Sequence, residues 1–246
     1  MSKFNMTIIN VKNKTEAGKI AAKYVLKTLY TKNNAVFGFP TGSSPIEFYK
    51  ELVSQTKLNN YDWSNVVSFN LDEYYDLDPL FKDQSYHNYM NKHLFSHINI
   101  NKSNIYFPWN PNMKELEIKN YDDLISSFNG LDVTLLGVGV DGHIAFNEPG
   151  SEIDSLTRLV TLDIQTRKWN ARFFKNNINN VPKRAVTMGI KSILNSKTII
   201  LIACGIEKKE AMDHLKQAHQ YDPNWPVTAL YNHDNLIVLT DLYYNK

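Results

Sequence analysis

Three side chains able to carry protons lie close together in GVGVDGHIAFNEPG, residues 137–150: Asp141, His143 and Glu148. An imidazole exchanges protons near neutral pH, and a carboxylate beside it fixes its tautomer and stabilises its charged form. Two carboxylates around one imidazole make a proton relay. Gly137, Gly139 and Gly142 would let backbone approach a compact polar ligand closely. The letters GVGVDG also fit a dinucleotide-binding turn, which needs a helix opening at its third glycine and an acidic residue roughly 20 positions further on. Asp163 meets the second condition. The first fails, because HIAFNEPGSEI is too short before Pro149 and Gly150 to hold a stable helix. The acid–base reading is therefore preferred, with a turn of incidental polar residues as its plain alternative.

Two further clusters invite chemistry. In FNLDEYYDL, residues 69–77, Asp72 and Glu73 are adjacent. In extended chain they point to opposite sides, so at most one faces a given ligand. In GFPTGSSPIEFYKEL, residues 38–52, Gly42 permits a tight turn, Ser43 and Ser44 offer hydroxyls and amides, and Pro45 suits the first position of a helix. A helix starting there would aim free N–H groups at an anion. The lysine of a Walker A loop is absent, and an ordinary capped strand-to-helix turn fits the same letters. His87, His93 and His97 suggest a metal cluster, but position 94 is Leu where a metalloprotease helix needs Glu. An amphipathic helix with histidines on it is the simpler reading, so no metal is expected.

The elements that must position these clusters are legible as apolar runs. Runs at 35–39, 66–70, 132–138, 158–162, 198–204 and 236–240 have the length and β-branched content of buried strands. Between them, 15–30, 45–56, 85–97, 115–128 and 207–218 carry helical spacing. Alternation of strand and helix predicts an α/β fold: one three-layer, Rossmann-like domain with a mainly parallel central sheet covered by helices on both faces. FPWNPNM, residues 107–113, reads as a surface loop within it and not as a boundary. Ligands of such sheets bind outside the C-terminal strand ends. The three polar clusters each follow a proposed strand, so they are expected to converge on one crevice.

Composition narrows the class. A chain of 246 residues with a formal net charge of +2 shows no block of like charge that would argue for nucleic acid or a membrane surface. No stretch approaches the roughly 18 apolar residues that span a bilayer, and MSKFNMTIIN lacks a secretory signal. The single cysteine, Cys204, lies in the apolar run TIILIACG and suits a buried thiol in a reducing compartment. A cytoplasmic protein is expected. Lysine supplies most of the positive charge, and the only four arginines, Arg158, Arg167, Arg172 and Arg184, fall in one segment. Such clustering suggests a planar multi-donor cation for a phosphate or carboxylate, or surface ion pairs.

The motifs GFPTGSSP, FNLDEYYDL, SYHNYM, LLGVGVDGHIAFNEPGS, TRLVTL, ARFF, VPKRAVTMGI and GIEKKEAM follow one another along most of the chain. In this order the chain resembles the glucosamine-6-phosphate deaminase family. The resemblance implies an isomerising deaminase, formally a hydrolase, that turns glucosamine 6-phosphate and water into fructose 6-phosphate and ammonia, with no cofactor. It implies that His143 opens the sugar ring, with Asp141 and Glu148 orienting it. Asp72 would take the proton from C2 and return it at C1. Thr41, Gly42, Ser43, Ser44, Arg172 and Lys208 would hold the phosphate, and residues 163–184, loop-rich and arginine-bearing, would form a lid. The whole of 1–246 would be one catalytic domain acting as a monomer or small homo-oligomer.

The resemblance has departures and rivals. Hexameric members activated by N-acetylglucosamine 6-phosphate use basic side chains after the FNEP segment and a C-terminal extension; here Arg158 is present, but position 160 is Val. Little or no such activation is expected. The related 6-phosphogluconolactonases carry a similar G-x-G-x-D-G-H turn but continue with an S-L-F-P-like segment and have DER where this chain has DEY. The sugar-phosphate sensor domains of bacterial regulators follow a DNA-binding module, for which this chain leaves no room if its first sheet strand begins near residue 35.

Overall fold

A computed structural model describes residues 6–244. In chain order these form β1 (Met6–Asn10), α1 (Lys14–Thr31), β2 (Val36–Phe39), α2 (Ile46–Asn59), β3 (Val67–Asn70), β4 (Asp72–Tyr74), α3 (Tyr86–His93), β5 (Ile105–Tyr106), α4 (Asn120–Ser127) and β6 (Val133–Gly137). Then follow β7 (Arg158–Thr161), α5 (Ile164–Asn170), β8 (Arg184–Thr187), α6 (Ile190–Leu194), β9 (Ile199–Ala203), α7 (Lys209–Gln217) and β10 (Leu236–Thr240), with short 3₁₀ turns between elements.

Seven strands make one parallel sheet in the order β1-β10-β9-β6-β2-β3-β5. Its strands are apolar on both faces because helices cover both. In β9, Ile200 and Ile202 pack with α1 and α2 residues such as Val25 and Phe48, while Ile199 and Leu201 pack with Ile125 of α4 and Met212 of α7. Burial of such side chains contributes on the order of 2 kcal/mol each. The helix starts are fixed by local chemistry: Asn13 accepts from the Glu16 N–H to begin α1, and Asp163 from the Gln165 N–H to begin α5.

A second, antiparallel sheet, β4-β8-β7, grows from the first. Leu71 is the hinge between them. Its N–H donates to Phe39 O of the main sheet and its carbonyl accepts from Met188 N, just beyond β8. The chain therefore leaves β3 and enters β4 at the residue before Asp72.

Several expectations need correction. The run 158–162 is not in the central sheet; as β7 it is the half-buried outer strand of the small sheet, which a length-and-composition criterion cannot distinguish from a core strand. The first sheet strand is β1, not the run near 35, and it pairs in parallel with β10 from Met6↔Leu236 onward. Strand β8 was not anticipated. The segment 163–184 is less loop-like than expected: α5, then 3₁₀ turns at Ala171–Phe173 and Ile178–Asn180, before Arg184 opens β8. Pro45 sits one residue earlier than expected, at the cap of α2. Residues 107–113 are a loop that packs back on the small sheet, Trp109 lying 4.3 Å from the Tyr75 ring.

Candidate active site

Beyond the C-terminal ends of β2, β3, β6 and β9, four of the strands at the middle of the parallel sheet, lies a cavity of about 1230 Å³. Its lining includes Thr41, Gly42, Ser43, Ser44, Asp72, Asp141, His143, Glu148, Arg172 and Lys208. The ten residues that the family resemblance implied as catalytic or phosphate-holding are thus gathered into one space. Parallel strands place every βα connection at one edge, which is why segments as far apart in sequence as Thr41 and Lys208 can meet there.

The turn after β6 is built around the imidazole. His143 Nδ1 lies 2.7 Å from Asp141 Oδ1, and the His143 backbone N–H donates to the same oxygen at 3.3 Å. Burial alone would raise the Asp141 carboxyl, but the His143 hydrogen bond and charge hold it below the ordinary aspartate range. Gly139 is required here: a Cβ would stand 2.1 Å from His143 Nδ1. Ala145 adopts a left-handed φ of 53°, a strained conformation for a residue with a side chain. It is over-determined by Asn147, whose amide donates to Ile144 O and Met188 O. No helix opens at Gly142, and the dinucleotide reading fails on that geometry.

Glu148 enters differently from the expectation. Its Oε2 accepts from the Asp163 N–H at 2.8 Å, while the buried Oε1 has no hydrogen-bond partner. Burial raises its carboxyl above the ordinary range, and the nearby His143 charge pulls it back only in part. Asp141 alone therefore orients the ring by contact. Glu148 acts on it through space and ties the site to the start of α5.

Asp72 and Glu73 diverge as their alternation requires. Asp72 faces the cavity, 7 % exposed, with Oδ1 unpartnered. Burial, reinforced by the Glu73 charge, raises its carboxyl to about 8. The wall beside it is aromatic: Tyr74, Tyr86, Phe146 and Phe174 pack together at centroid distances of 4.8–6.0 Å, Tyr86 stacked on Phe146 and Tyr74 edge-on to Phe174. These rings and Tyr89, also in the lining, were not anticipated as site residues. Tyr86 and Tyr89, three apart in SYHNYM and so on one helical face, were the available signal.

At the other end, α2 follows the Thr41–Ser44 loop and starts without a side-chain cap, so its first-turn amides have no capping side chain; Gly42 in that loop takes φ +92°. Burial lowers the Lys208 ammonium from its usual value, and Arg172 and Lys14 nearby add to this against the carboxylates of Glu207 and Asp141. Two cations beside open amides favour an anion strongly. The Arg172 guanidinium rests 4.9 Å from the Trp169 ring and 4.7 Å from the Phe173 ring.

The other arginines are structural. Arg158 donates to Asn147 Oδ1 and Ser151 Oγ, Arg167 to the Ile178 and Val181 carbonyls, and Arg184 makes a two-point ion pair with Asp76 at the surface. The histidine trio has separate neighbours: His87 lies against Phe107, His93 against Tyr89, and His97 Nε2 meets the Lys92 carbonyl. Among the described residues no group of three or more His, Cys, Asp or Glu is placed to hold a metal ion, and no helix is long and apolar enough to cross a membrane.

Residues 13–238 match the model of a family described as glucosamine-6-phosphate isomerases/6-phosphogluconolactonase. The chain is 45 % identical over 237 residues to the glucosamine-6-phosphate deaminase of Malacoplasma penetrans, covering 95 % of this chain and 97 % of that one. Among solved structures it superposes on a monomeric glucosamine-6-phosphate deaminase with a TM-score of 0.90 and 39 % identity, covering 96 % and 97 % of the two chains. A 6-phosphogluconolactonase of Thermotoga maritima shares the fold at a TM-score of 0.72 but only 19 % identity, covering 96 % of this chain and 98 % of that one.

Proposed function

This chain belongs to the family of glucosamine-6-phosphate isomerases and 6-phosphogluconolactonases, and we propose that it is a glucosamine-6-phosphate deaminase, formally a carbon–nitrogen hydrolase, working in the cytoplasm as a monomer or small homo-oligomer. The observation that carries this reading is one cavity holding an oriented imidazole, a buried carboxyl and an anion-binding end. The similar proteins named above support it.

The chemistry divides among these groups. The phosphate sits on the Thr41–Ser44 amides and hydroxyls with Lys208 and Arg172. His143, held by Asp141 at Nδ1, exchanges protons through Nε2: it takes the anomeric hydroxyl proton and delivers one to the ring oxygen, which opens the pyranose. Asp72 then removes the C2 proton while a proton of the C2 ammonium passes to the C1 oxygen, giving a neutral enolamine. The substrate ammonium on C2 favours the carboxylate form of Asp72, countering the burial that raises it. The resulting enolamine is reprotonated at C1 by the same carboxyl, leaving an imine at C2; water adds there and ammonia leaves. The aromatic wall beside Asp72 keeps the base dry, and the segment 163–184 closes over it as a lid. Effector activation is not expected, because Val160 supplies no cation beside Arg158.

Ammonia release from glucosamine 6-phosphate, measured beside hydrolysis of 6-phosphogluconolactone, tests the proposal. Lactone hydrolysis without ammonia would overturn it in favour of the lactonase reading.

A further inference from the structure

Glu73 lines a different cavity from Asp72, a largely apolar space of about 1130 Å³ on the other side of β4. Its carboxylate is wholly engaged. Oε1 accepts the N–H groups of Tyr74 at 2.8 Å and Tyr86 at 2.9 Å, and Oε2 accepts that of His87 at 2.9 Å. Tyr86 and His87 are the first two residues of α3, and Ser85 takes the next two amides, Asn88 through Oγ and Tyr89 through its carbonyl. The Tyr89 bond is the first within the helix, and the Ser85 N–H donates to Lys82 O, so the four donors of that helix end without an intrahelical partner, on Ser85, Tyr86, His87 and Asn88, are all satisfied, two of them by a carboxylate from another element. One turn further along α3, the Tyr89 hydroxyl donates to Gly42 O at 2.6 Å. Tyr49 of α2 donates likewise to Pro40 O at 2.6 Å, and its ring meets the Tyr89 ring edge-on.

We propose that Glu73 is a positioning residue: by holding the first turn of α3 against β4, it fixes the anion loop at Gly42 relative to the base Asp72 on the same strand. This rests on the deaminase reading for the roles of the two ends it joins. Three amides converging on two oxygens require a carboxylate, since Gln would turn an NH₂ group against one of the donors.

The same residue sets the electrostatics of the base. The titratable groups whose charge reaches Asp72 are Glu73, next to it but on the opposite side of the strand, and the phenols of Tyr49, Tyr74, Tyr86 and Tyr121, which burial raises above their usual value. Across the cavity stand Asp141, His143, Glu148 and Lys208. Burial also raises Glu73, to about 7, against the pull of its three amides. Once ionised it opposes ionisation of Asp72.

The experiment compares wild type, Glu73→Gln and Tyr89→Phe by the pH dependence of kcat/KM for ammonia release and by calorimetric binding of inorganic phosphate. Glu73→Gln is expected to raise KM about tenfold, weaken phosphate similarly, and move the acid limb of the profile down by on the order of one pH unit. Tyr89→Phe should raise KM about fivefold and leave the limb in place. A folded Glu73→Gln with KM within twofold of wild type and an unmoved limb overturns the proposal. If that variant does not fold, Glu73→Asp keeps the charge and shortens the reach. It should raise KM at an unchanged limb; unchanged KM overturns the proposal. If wild type releases no ammonia, the deaminase reading fails instead, and phosphate affinity in the same variants still tests the tether.

Discussion

Asp141 Oδ1 receives both the Nδ1 side of the His143 ring, at 2.7 Å, and the His143 backbone N–H, at 3.3 Å. The ring is thereby locked to its own main chain through one carboxylate oxygen, leaving Nε2 as the exchanging atom. Asp141→Asn keeps the shape but offers an amide able to select the wrong tautomer. We expect kcat for ammonia release to fall about 10²–10⁴-fold with KM changed little. Steady-state kinetics retaining more than a tenth of wild-type kcat would refute the role of Asp141.

Gly139→Ala places a methyl 2.1 Å from His143 Nδ1, so the ring must leave its position. Overpacking of this kind costs about 1–3 kcal/mol. Thermal melts should show a lowered midpoint, and activity should drop at least about a hundredfold. A folded, active Gly139→Ala protein would show that the ring works from elsewhere.

Asp72→Asn removes the base and keeps its volume. Ammonia release should fall by about 10³-fold or more, while calorimetric binding of glucosamine 6-phosphate stays within a few-fold of wild type. Residual turnover near the wild-type rate would move the carbon-proton base to another residue.

The raised carboxyls of Asp72 and Glu73 also predict a pH dependence of stability. With folded values of about 8 and about 7 against about 4 unfolded, the native state binds more protons across that interval. As far as these two groups are concerned, stability is therefore fullest below about pH 4 and is lost steadily as pH rises from there toward 8. Asp132 and Asp141, held below the ordinary range, oppose this only in more acid solution. We expect Tm to fall by several degrees from pH 5.5 to 8.5, and Asp72→Asn to raise it at pH 8.5 by roughly 2–4 °C per kcal/mol recovered. A Tm independent of pH, or highest at 8.5, would contradict the burial argument.

Lys208→Met should raise KM for the sugar phosphate about tenfold or more with a smaller effect on kcat, and weaken competitive inhibition by inorganic phosphate in step. Equal losses in kcat and kcat/KM would instead place Lys208 at the reacting carbons.

The central sheet was legible because β2, β3, β6, β9 and β10 are apolar on both faces, and β2, β3 and β6 are each followed by a polar cluster. The convergence of three polar clusters on one crevice followed from the same pattern, since parallel strands deliver their C-terminal loops to one edge, whereas Lys208 and the phosphate role of Arg172 came only from the family resemblance. The small sheet was hidden: β4 is three residues of DEY and β8 is RAVT, whose pairing depends on contacts about a hundred residues apart. The role of Glu73 was hidden for the same reason. In sequence it is one half of an acidic pair, and only the start of α3 meeting it in space gives it partners. Glu148 lines the cavity with the other candidate residues, but its bond to Asp163 could not be read from the sequence, because a backbone amide leaves no mark in side-chain spacing.

Asp72 and Arg158 both stand opposite Thr187 in the three-stranded ladder. Because side chains alternate along a strand, a slip of β4 by a single residue against β8 would exchange what each cavity receives. Glu73 would then face the sugar and the base would face the apolar space behind it. Inserting or deleting one residue between Leu71 and Tyr75 is thus a change of chemistry before it is a change of stability. Loop grafts in this protein must preserve the count of residues through that strand, whatever freedom the sequence on either side allows.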